Sequence, residues 1–477
     1  MAATSPSPIS TGRDHPGPPG PRRWWLLGLL SVAQFMLVLD VTVVNVALPD
    51  IGADLALQGG VVPWVLTAYT LAFGGLMLLG GRAADMSGAR RVLLGGLTIF
   101  VLASLVSGLA ADATMLLAGR AAQGVGAALM SPAALSVITT TFAGEDRSRA
   151  LGVWAAIGGA GSALGVILGG LLTSGPGWRW VFFINVPAGL AILALLPTLI
   201  PASRRHLAAT GRVDVAGALS VTLATGAAIY GLINAGGHGW LAGSTLLSLA
   251  AAVLLYGVFA VVERGAATPL MPLRVLTRRP VVAGASLMLV ATGLLVSAFF
   301  LGSFYLQRLH GYSAATTGLA FLPIALGTTI GAHTGSRAVT HLDGRVLAAG
   351  SLTVTAAGCG LAAGAGGPAL LIAGLTLAAI GVGAALVTAV TAALTAVAPD
   401  EAGTRSGIVN TFHELGGALG VAVLSTVAAG GVTGEVSATG VALAFTVGAV
   451  AALAAAALSV FVVPPGVAPA GATPHAH

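Results

Sequence analysis

The chain has 477 residues, of which 56% are hydrophobic, 8% are charged and 69 are glycine. Because a soluble domain carries about 25% charged residues, this composition excludes a water-soluble globular protein. It also excludes a disordered chain, since disordered segments are rich in charge and poor in apolar residues. The net charge of +6 comes from arginines spread singly along the chain, which does not favour a nucleic-acid partner. Cys359 is the single cysteine, so no intrachain disulfide or cysteine-based metal site is expected.

Long apolar runs dominate the chain. Residues 1–22 are rich in proline, serine and glycine, which predicts a disordered tail, and a second tail is predicted at 465–477. About 20 apolar residues cross the roughly 30 Å core of a bilayer as a helix, so the first run is long enough to be a retained span. Fourteen runs are predicted, with twelve as the alternative because the linkers around 213–262 are rich in glycine. The runs are 24–48, 61–81, 92–110, 114–138, 149–173, 180–200, 213–234, 241–262, 281–306, 316–337, 346–363, 369–395, 405–429 and 440–463.

The placement of arginine orients these spans. With the N-terminus in the cytoplasm, the predicted outer loops contain only Arg179 and Arg308, and Arg120 falls within a span. The other eighteen of the 21 basic residues, all of them arginine, lie in predicted cytoplasmic segments, which is a strong positive-inside asymmetry. The pattern predicts an even number of spans and two cytoplasmic termini. No soluble domain is visible, since the longest polar stretch, roughly 263–280, is a short linker.

The loop after the second run carries a pattern of glycine, aspartate and arginine. Glycines allow a tight turn, and an aspartate at a helix end can pair with an arginine or with the helix dipole. We interpret the loop as a conformational latch, with an arginine anchor at the membrane surface as the alternative. Its residues are Gly81, Asp85, Gly88, Arg90 and Arg91. The pattern resembles the loop signature of the major facilitator superfamily, and Arg337, His341 and Gly344 form a weaker echo in the second half.

Two further segments resemble motifs of the same family. Residues 117–126 resemble the fourth-helix motif R-x-x-Q-G-x-G. The fifth run resembles the antiporter motif G-x-x-x-G-P-x-x-G-G, although Val166 replaces the proline and with it the expected kink. Small residues three and four apart share a helix face and let helices approach closely, which suits a hinge or a static contact. The glycines of the fifth run are Gly158, Gly161, Gly165, Gly169 and Gly170.

Three more segments, 39–49, 178–189 and 305–323, narrow the resemblance. With the motifs above, they resemble the fourteen-helix drug:proton antiporters of the EmrB/QacA type over about residues 24–463. The resemblance implies an all-α membrane protein with the major facilitator fold. It implies two six-helix halves, at 23–200 and 266–464, and two extra central helices between them, at 201–265. It also implies a proton gradient as the energy source, with no cofactor.

Three ionisable residues fall inside predicted spans, namely Asp40, Arg120 and Glu414. A charge in hydrocarbon costs at least about 2.5 kcal/mol, so such residues face the protein interior and are functional candidates. Asp40 and Arg120 lie at similar depth, about 9–12 Å below the outer surface at 1.5 Å per residue, and we expect them to pair if the first and fourth runs are neighbours. Glu414 lies near mid-depth with His413 beside it.

We interpret Asp40 and Glu414 as the groups that couple proton entry to substrate exit. Burial and a nearby arginine act in opposite directions on the proton affinity of a carboxyl, so a cavity that changes between two states changes proton binding. Proton and substrate then compete through one conformational equilibrium. The alternatives are a static ion pair or a helix-end cap for Asp40 and, for Glu414, the packing role of a polar amide. Four amides are expected either to line a polar cavity or to join helices by hydrogen bonds, namely Asn45, Gln123, Gln307 and Asn410. Trp64, Tyr69 and Trp154 are substrate platforms or interfacial anchors.

The predicted function is proton antiport in a bacterial inner membrane, with export of amphipathic, cationic or neutral lipophilic drugs or antibiotics by alternating access. The expected partners are the small-molecule substrate, protons and the bilayer, and the expected state is a monomer. The alternatives are an exporter dedicated to one self-made natural product or to a lipid. An intramembrane enzyme needs a histidine at the depth of Ser162, which the sequence does not offer. A non-transporting sensor is disfavoured because the membrane acids are intact.

Overall fold

The computed structural model describes residues 21–200, 214–266, 269–395, 401–429 and 437–466. Within these ranges the chain forms helices and turns and contains no strand. The helices are α1 (Pro21–Asp54), α2 (Trp64–Ser87), α3 (Ala89–Gly108), α4 (Ala113–Thr141), α5 (Gly144–Ser174), α6 (Trp180–Phe183), α7 (Asn185–Leu199), α8 (Val215–His238), α9 (Gly243–Gly265), α10 (Leu273–Leu276), α11 (Arg279–Phe304), α12 (Ala314–Ala320), α13 (Leu322–Ala338), α14 (Gly344–Ala363), α15 (Pro368–Leu394), α16 (Ala402–Ala428) and α17 (Ala438–Val462). A π-helical turn, Tyr305–Leu309, continues α11.

Thirteen helical segments of the described ranges are long and apolar enough to cross a bilayer. The chain is therefore a multi-pass helical membrane protein. Two of the segments, Trp180–Leu199 and Ala314–Ala338, each combine two consecutive helices. All fourteen predicted runs fall on helices. The run at 149–173 corresponds to α5, whose fully described apolar part is Gly161–Ser174.

Parts of the predicted tails and linkers lie outside the described residues. These parts are 1–20, 201–213 and 467–477, so Arg13, Arg204, Arg205 and Arg212 have no described surroundings. Pro21 and Arg22, predicted to belong to the first tail, are the first residues of α1. At the other end Gly466, predicted to be in the second tail, donates its backbone N–H to the Asp343 carboxylate at 2.8 Å.

The helices pack in two groups joined along a seam. In the first group α4 contacts α2 and α3, and α5 contacts α1. In the second group α15 contacts α11, α13 and α14, while α16 contacts α11. The two groups meet where α2 contacts α16, where α5 contacts α12 and where α1 contacts α11. Helix α8 packs against α9, α2 and α16, so α8 lies beside the α2–α16 contact with α9 packed on it.

Helix α1 continues past residue 48, where the first apolar run was predicted to end, and includes Pro49. Proline has no N–H, so the carbonyl of Asn45, four residues earlier, lacks its helical donor. The hydroxyl of Ser303 on α11 donates to this carbonyl at 2.8 Å. The helix continues through the proline because the second group of helices supplies the missing hydrogen bond. The sequence of the first run alone does not predict this continuation.

An ion-pair cluster holds the start of α16. Glu401 accepts hydrogen bonds from Arg405 at 3.0 Å and from Arg278 at 2.7 Å. The bond from Arg405, followed by the charge of Arg278, lowers the pKa of Glu401, which lies outside the apolar span. The carboxylate is therefore ionised at neutral pH and ties the starts of α11 and α16 together.

Candidate functional site

Asp40 of α1 and Arg120 of α4 form an ion pair in the interior of the first group of helices. Both side chains are 0% exposed, and Arg120 Nη1 donates to Asp40 Oδ2. The other carboxylate oxygen accepts from Gln123 Nε2 at 3.0 Å and from Asn185 Nδ2 at 3.5 Å. The pairing expected from the similar depth of the two residues is therefore present in the structure.

The guanidinium of Arg120 has partners besides the carboxylate. Its Nε donates to the backbone oxygen of Val65 at 2.8 Å, and its Nη1 donates to Gln123 Oε1 at 2.8 Å. The Arg120 Cζ lies 4.6 Å from the ring centroid of Tyr69 and 5.7 Å from that of Phe182. A buried ion pair is tolerated only when further hydrogen bonds compensate for lost hydration, and these contacts supply much of that compensation.

The sequence of α4 explains how the pair is positioned. Arg120 and Gln123 are three residues apart and therefore share a helix face. The neighbouring glycines let other helices approach the same segment. A methyl group added at Gly124 would stand 3.1 Å from the Phe73 nitrogen of α2, and one at Gly126 would stand 2.7 Å from the Phe100 nitrogen of α3. The segment R-x-x-Q-G-x-G thus presents the charged pair and packs the helices around it.

Three polar atoms at the pair, and a fourth on Asn45, five residues beyond Asp40 on α1, are buried without a hydrogen-bond partner in the described part of the chain. They are Asn45 Oδ1, Tyr69 Oη, Arg120 Nη2 and Asn185 Oδ1. Tyr69 is 0% exposed and contacts Arg120, so it is neither an interfacial anchor nor an open substrate platform. Sequence reasoning missed Asn185 as a ligand of Asp40 and missed the position of Tyr69. The only signal for Asn185 was its place in segment 178–189.

Glu414 lies on α16 where the two groups of helices meet. Its side chain is half-buried, and a methyl group added at Gly74 of α2 would stand 2.7 Å from Glu414 Cβ. The neighbouring His413 points elsewhere, since its Nδ1 lies 3.1 Å from Thr292 Oγ1 and 3.4 Å from Met288 Sδ, both on α11. Asp40 and Glu414 therefore lie in different groups of helices, with α2 between them.

The loop between α2 and α3 adopts the predicted tight turn. Gly88 has φ +90°, a conformation that favours glycine. Arg90 donates to the backbone oxygen of Pro197 on α7 at 3.0 Å, within the first group. A methyl group added at Gly81 would stand 3.6 Å from the Cβ of Pro132 on α4. Asp85 and Arg91 are exposed, and the described residues include no ion pair to Asp85.

The glycines of α5 face two different neighbours. Gly161, Gly165 and Gly169 pack against α1, and an added methyl group would stand 3.1 Å from Val38 at the first and 2.9 Å from the Val43 Cα at the last. Gly170 instead faces α12, where the added group would stand 2.8 Å from the Ala315 Cα. Gly158 lies in α5, but its surroundings are outside what the structure describes. These glycines bring α1, which carries Asp40, close to α5.

Polar contacts join the two groups at the predicted outer face. Ser303 donates to the backbone oxygen of Asn45, as noted above, and Gln307 Nε2 donates to that of Val46 at 2.8 Å. Arg308 Nη2 donates to the backbone oxygen of Pro49 at 2.6 Å. Gln307 thus joins helices here, whereas Gln123 belongs to the Asp40 cluster. Asn410 is half-buried on α16.

Ionisable residues paired inside a multi-pass helical protein are typical of the substrate and ion pathways of membrane transporters. The family model of the Major Facilitator Superfamily matches residues 30–421. The chain belongs to this superfamily.

Characterised relatives and solved structures agree with this assignment. The chain is 41% identical to a puromycin resistance protein of Streptomyces alboniger, over 86% of this chain and 83% of the relative. It is 38% identical to a cephamycin export protein of Amycolatopsis lactamdurans, over 86% of each chain. The crystal structure of a bacterial homologue of the human lysosomal transporter Spinster, in an inward-facing and occupied conformation, superposes with a TM-score of 0.62. It shares 17% identity and covers 93% of this chain and 97% of that one, which shows a common fold.

Proposed function

We propose that this protein is a proton-coupled exporter of amphipathic organic compounds, antibiotics foremost. The observation that carries the proposal is the ion pair of Asp40 and Arg120, which is fully buried and held by Gln123 and Asn185. A proton added to Asp40 neutralises one member of the pair and removes most of its attraction to Arg120. Proton binding therefore changes the free energy of the state that contains this pair, which is what coupling requires.

The contacts at the predicted outer face support alternating access. The described hydrogen bonds between the first and second groups lie at the ends of α1 and α5. There they meet the outer turn that connects the end of α11 to the start of α12. The loop with Asp85 makes no described ion pair at the opposite face. We take this combination as a state closed on the outside. Closure of the loop against the second group is then the opposite state, and Gly81, Asp85, Gly88, Arg90 and Arg91 are the proposed latch.

The membrane arrangement follows from the helices and the arginines. Helix α5 has 31 residues, enough at 1.5 Å per residue to exceed a core of roughly 30 Å, which supports fourteen spans of the EmrB/QacA type. The positive-inside asymmetry supports two cytoplasmic termini in a bacterial inner membrane. We propose a monomer in which residues 23–200 and 266–464 move against each other.

A dedicated exporter of a self-made compound is a second candidate. The names of two relatives favour it, the cephamycin export protein and a tetracenomycin C resistance and export protein of Streptomyces glaucescens, which is 33% identical over 86% of this chain. Resistance tests with four compounds separate the candidates, namely puromycin, lincomycin, tetracenomycin C and ethidium. Resistance to several of these in an efflux-deficient host supports a multidrug exporter, and resistance to one supports a dedicated exporter.

Everted membrane vesicles test the energy source. We expect respiration to drive ethidium accumulation in vesicles that contain the protein, and nigericin, which dissipates the pH gradient, to abolish it. Accumulation that survives nigericin and a protonophore would contradict proton coupling. Vesicles from cells without the protein provide the background rate.

Weakening the outer contacts is expected to shift the conformational equilibrium. The double variant Ser303→Ala/Gln307→Ala removes two hydrogen bonds of about 1 kcal/mol each, so the ratio of outward-open to inward-open molecules should rise about 30-fold. Spin labels at Ala111 and Gly366, in a Cys359→Ser background, would report this as a larger long-distance population. The matched control is Ser297→Ala, because Ser297 bonds only the Gly293 carbonyl of its own helix. An unchanged distance distribution in the double variant contradicts the role assigned to these contacts.

Replacing Glu414 by glutamine is expected to lower proton-driven ethidium accumulation at least about fivefold, the lower end of typical coupling. The amide keeps the size of the side chain against Gly74 but cannot carry a proton. Accumulation in everted vesicles measures the effect. Glu145→Gln is the control, since Glu145 is exposed at the start of α5. If Glu414→Gln accumulates ethidium like the wild type, Glu414 has only a packing role.

A further inference from the structure

Two serines of α3 lie behind the ion pair without bonding to it. Ser104 and Ser107 are three residues apart and therefore share a face of α3, and both side chains are 0% exposed. Gln123 Nε2 donates to Ser104 Oγ at 2.8 Å, and Ser107 Oγ donates to Gln123 Oε1 at 3.4 Å. The hydrogen bonds described by the structure connect neither serine directly with Asp40, so their effect on the carboxylate passes through Gln123.

The amide of Gln123 uses all of its hydrogen-bonding capacity. An amide has two N–H donors and an oxygen with two lone pairs. Besides Ser104, its Nε2 donates to Asp40 Oδ1 at 3.0 Å. Besides accepting from Ser107, its Oε1 accepts from Arg120 Nη1 at 2.8 Å. The amide therefore joins both members of the ion pair to α3.

The orientation of this amide follows from its partners. An arginine can only donate and a carboxylate can only accept, so Oε1 faces Arg120 and Nε2 faces Asp40. Ser104 requires the same orientation, because its hydroxyl donates to the Phe100 carbonyl at 2.7 Å and its oxygen is left to accept. If the amide turned over, Ser104 would have to give up its bond to Phe100 in order to donate to the amide oxygen.

The contact with Ser104 gains importance once Asp40 holds a proton. A protonated carboxyl has an O–H that can donate, so Asp40 by itself then permits an amide turned with its oxygen toward the carboxyl. Ser104 opposes that turn and keeps an N–H directed at Asp40 in both protonation states. A hydrogen bond to the charged form of a carboxyl favours that form, so the fixed N–H favours release of the proton.

A glycine of α4 lets α3 come close enough for these contacts. A methyl group added at Gly119 would collide with the Ser107 hydroxyl and would stand 3.2 Å from the Ser107 nitrogen. Gly119 directly precedes Arg120 in the fourth-helix segment. The same short segment therefore supplies the arginine and the amide and makes room for the serines behind them.

We propose that Ser104 is a positioning residue for proton release at Asp40 and that it acts through Gln123. The proposal rests on the proton coupling proposed above. In the step concerned, the O–H bond of protonated Asp40 breaks, the proton passes to a water molecule, and the electron pair stays on the carboxylate. The carboxylate then accepts from Gln123 and Arg120, as it does in this structure.

The surroundings of Asp40 contain few groups that carry or change charge. Among the described residues, Arg120 faces it from α4, and Tyr69 of α2 contacts the other side of that guanidinium. The remaining hydrogen-bond partners, Gln123 and Asn185, are amides that do not titrate. A change in the proton binding of Asp40 after a substitution on α3 therefore reports on the amide next to it.

The substitution Ser104→Ala tests the proposal on the purified protein without a ligand. Infrared difference spectra against an Asp40→Asn reference in the same background isolate the carboxyl band of Asp40, and its loss with rising pH gives the midpoint of proton release. We expect this midpoint to lie about one pH unit higher in Ser104→Ala, which is about tenfold tighter proton binding. One hydrogen bond to a charged group accounts for about that much. An unchanged or lower midpoint overturns the proposal.

A double-mutant cycle shows whether Ser104 acts through Gln123. The substitution Gln123→Met removes the amide and keeps the length of the side chain, so the midpoint should rise at least as far as in Ser104→Ala. Adding Ser104→Ala to Gln123→Met should then change nothing further. A full additional shift in the double variant means that Ser104 affects Asp40 by another route and overturns the proposal.

Two other serines are the controls. Ser107→Ala should move the midpoint less than Ser104→Ala, because a hydroxyl at that place can donate or accept and does not fix the amide. Ser351→Ala on α14 removes a buried hydroxyl that bonds the Ala348 carbonyl of its own helix, and should leave the midpoint unchanged. A shift in Ser351→Ala as large as in Ser104→Ala overturns the proposal, since it indicates a general effect of a lost hydroxyl.

Transport separates the positioning role from the proposed function. In liposomes, Ser104→Ala should shift the pH profile of gradient-driven ethidium transport upward together with the midpoint, while ethidium exchange keeps its wild-type maximum rate. An equal fall of both rates without a shifted profile indicates a structural role and overturns the proposal. A wild type that responds to a pH gradient, together with an unshifted Ser104→Ala variant, overturns the positioning role alone. A wild type that exchanges ethidium but never responds to a pH gradient overturns proton coupling and the positioning role with it.

Discussion

Replacing Asp40 by asparagine is expected to reduce uphill export roughly 5- to 150-fold, the range of typical coupling free energies. The carboxylate is the group through which a proton changes the interaction with Arg120, and an amide cannot gain or lose that proton. The asparagine oxygen can still accept from Arg120, whereas the NH2 group replaces the oxygen that accepts from Gln123 and Asn185. The helices stay together through their other contacts. Energised everted vesicles with ethidium measure the loss.

Two comparisons distinguish lost coupling from a damaged protein. Ethidium exchange without a pH gradient should persist in Asp40→Asn, because exchange requires only the conformational change. The control Asp112→Asn changes an exposed acid that caps α4 through Met115, and asparagine caps a helix as well as aspartate does. Normal uphill export by Asp40→Asn would remove Asp40 from the mechanism.

Breaking the buried pair from the other side should have the largest effect on stability. Arg120→Met leaves the Asp40 carboxylate buried without its main partner, and removing one member of a buried pair costs about 3–5 kcal/mol. The double variant Asp40→Asn/Arg120→Met leaves no unpaired charge, so we expect it to regain much of the lost stability. Heat denaturation of the detergent-solubilised protein, followed by circular dichroism, compares the wild type, the two single variants and the double variant.

The double variant decides whether the pair acts as a unit. Residues in direct contact show interaction energies of about 0.5–3 kcal/mol in such a cycle. If the destabilisation of the double variant equals the sum of the single effects, Asp40 and Arg120 do not depend on each other. In that case the ion pair is a packing feature and the coupling scheme loses its structural basis.

The spans were predictable because lipid imposes a length and a composition on each of them. Every predicted run falls on a helix. The similar depth of Asp40 and Arg120 within their runs predicted their pairing on the condition that the first and fourth runs are neighbours. Glu414 was placed near mid-depth, but its contact with α2 depends on Gly74, a residue that no pattern connects with it. Depth can be counted along a chain, whereas the identity of a neighbour depends on packing.

Contacts between the two groups of helices were not predictable for the same reason. The continuation of α1 through Pro49 depends on Ser303, which is 258 positions away from Asn45 in sequence. Asn185 reaches Asp40 across 145 positions. Tyr69 looked like a membrane anchor, since tyrosine is common at span ends, and only the buried guanidinium beside it gives it another role. The sequence identified the charged residues of the spans most readily, because a charge inside a bilayer is energetically unfavourable and indicates a function.

The most direct test follows the proton in liposomes that contain the purified protein and an internal pH dye. Ethidium added outside should raise the internal pH in wild-type liposomes, because each entering cation is exchanged for departing protons. Liposomes with Asp40→Asn should show ethidium entry without this rise. An internal pH that stays constant in the wild type, or that rises equally in Asp40→Asn, would contradict proton-coupled export through this carboxylate.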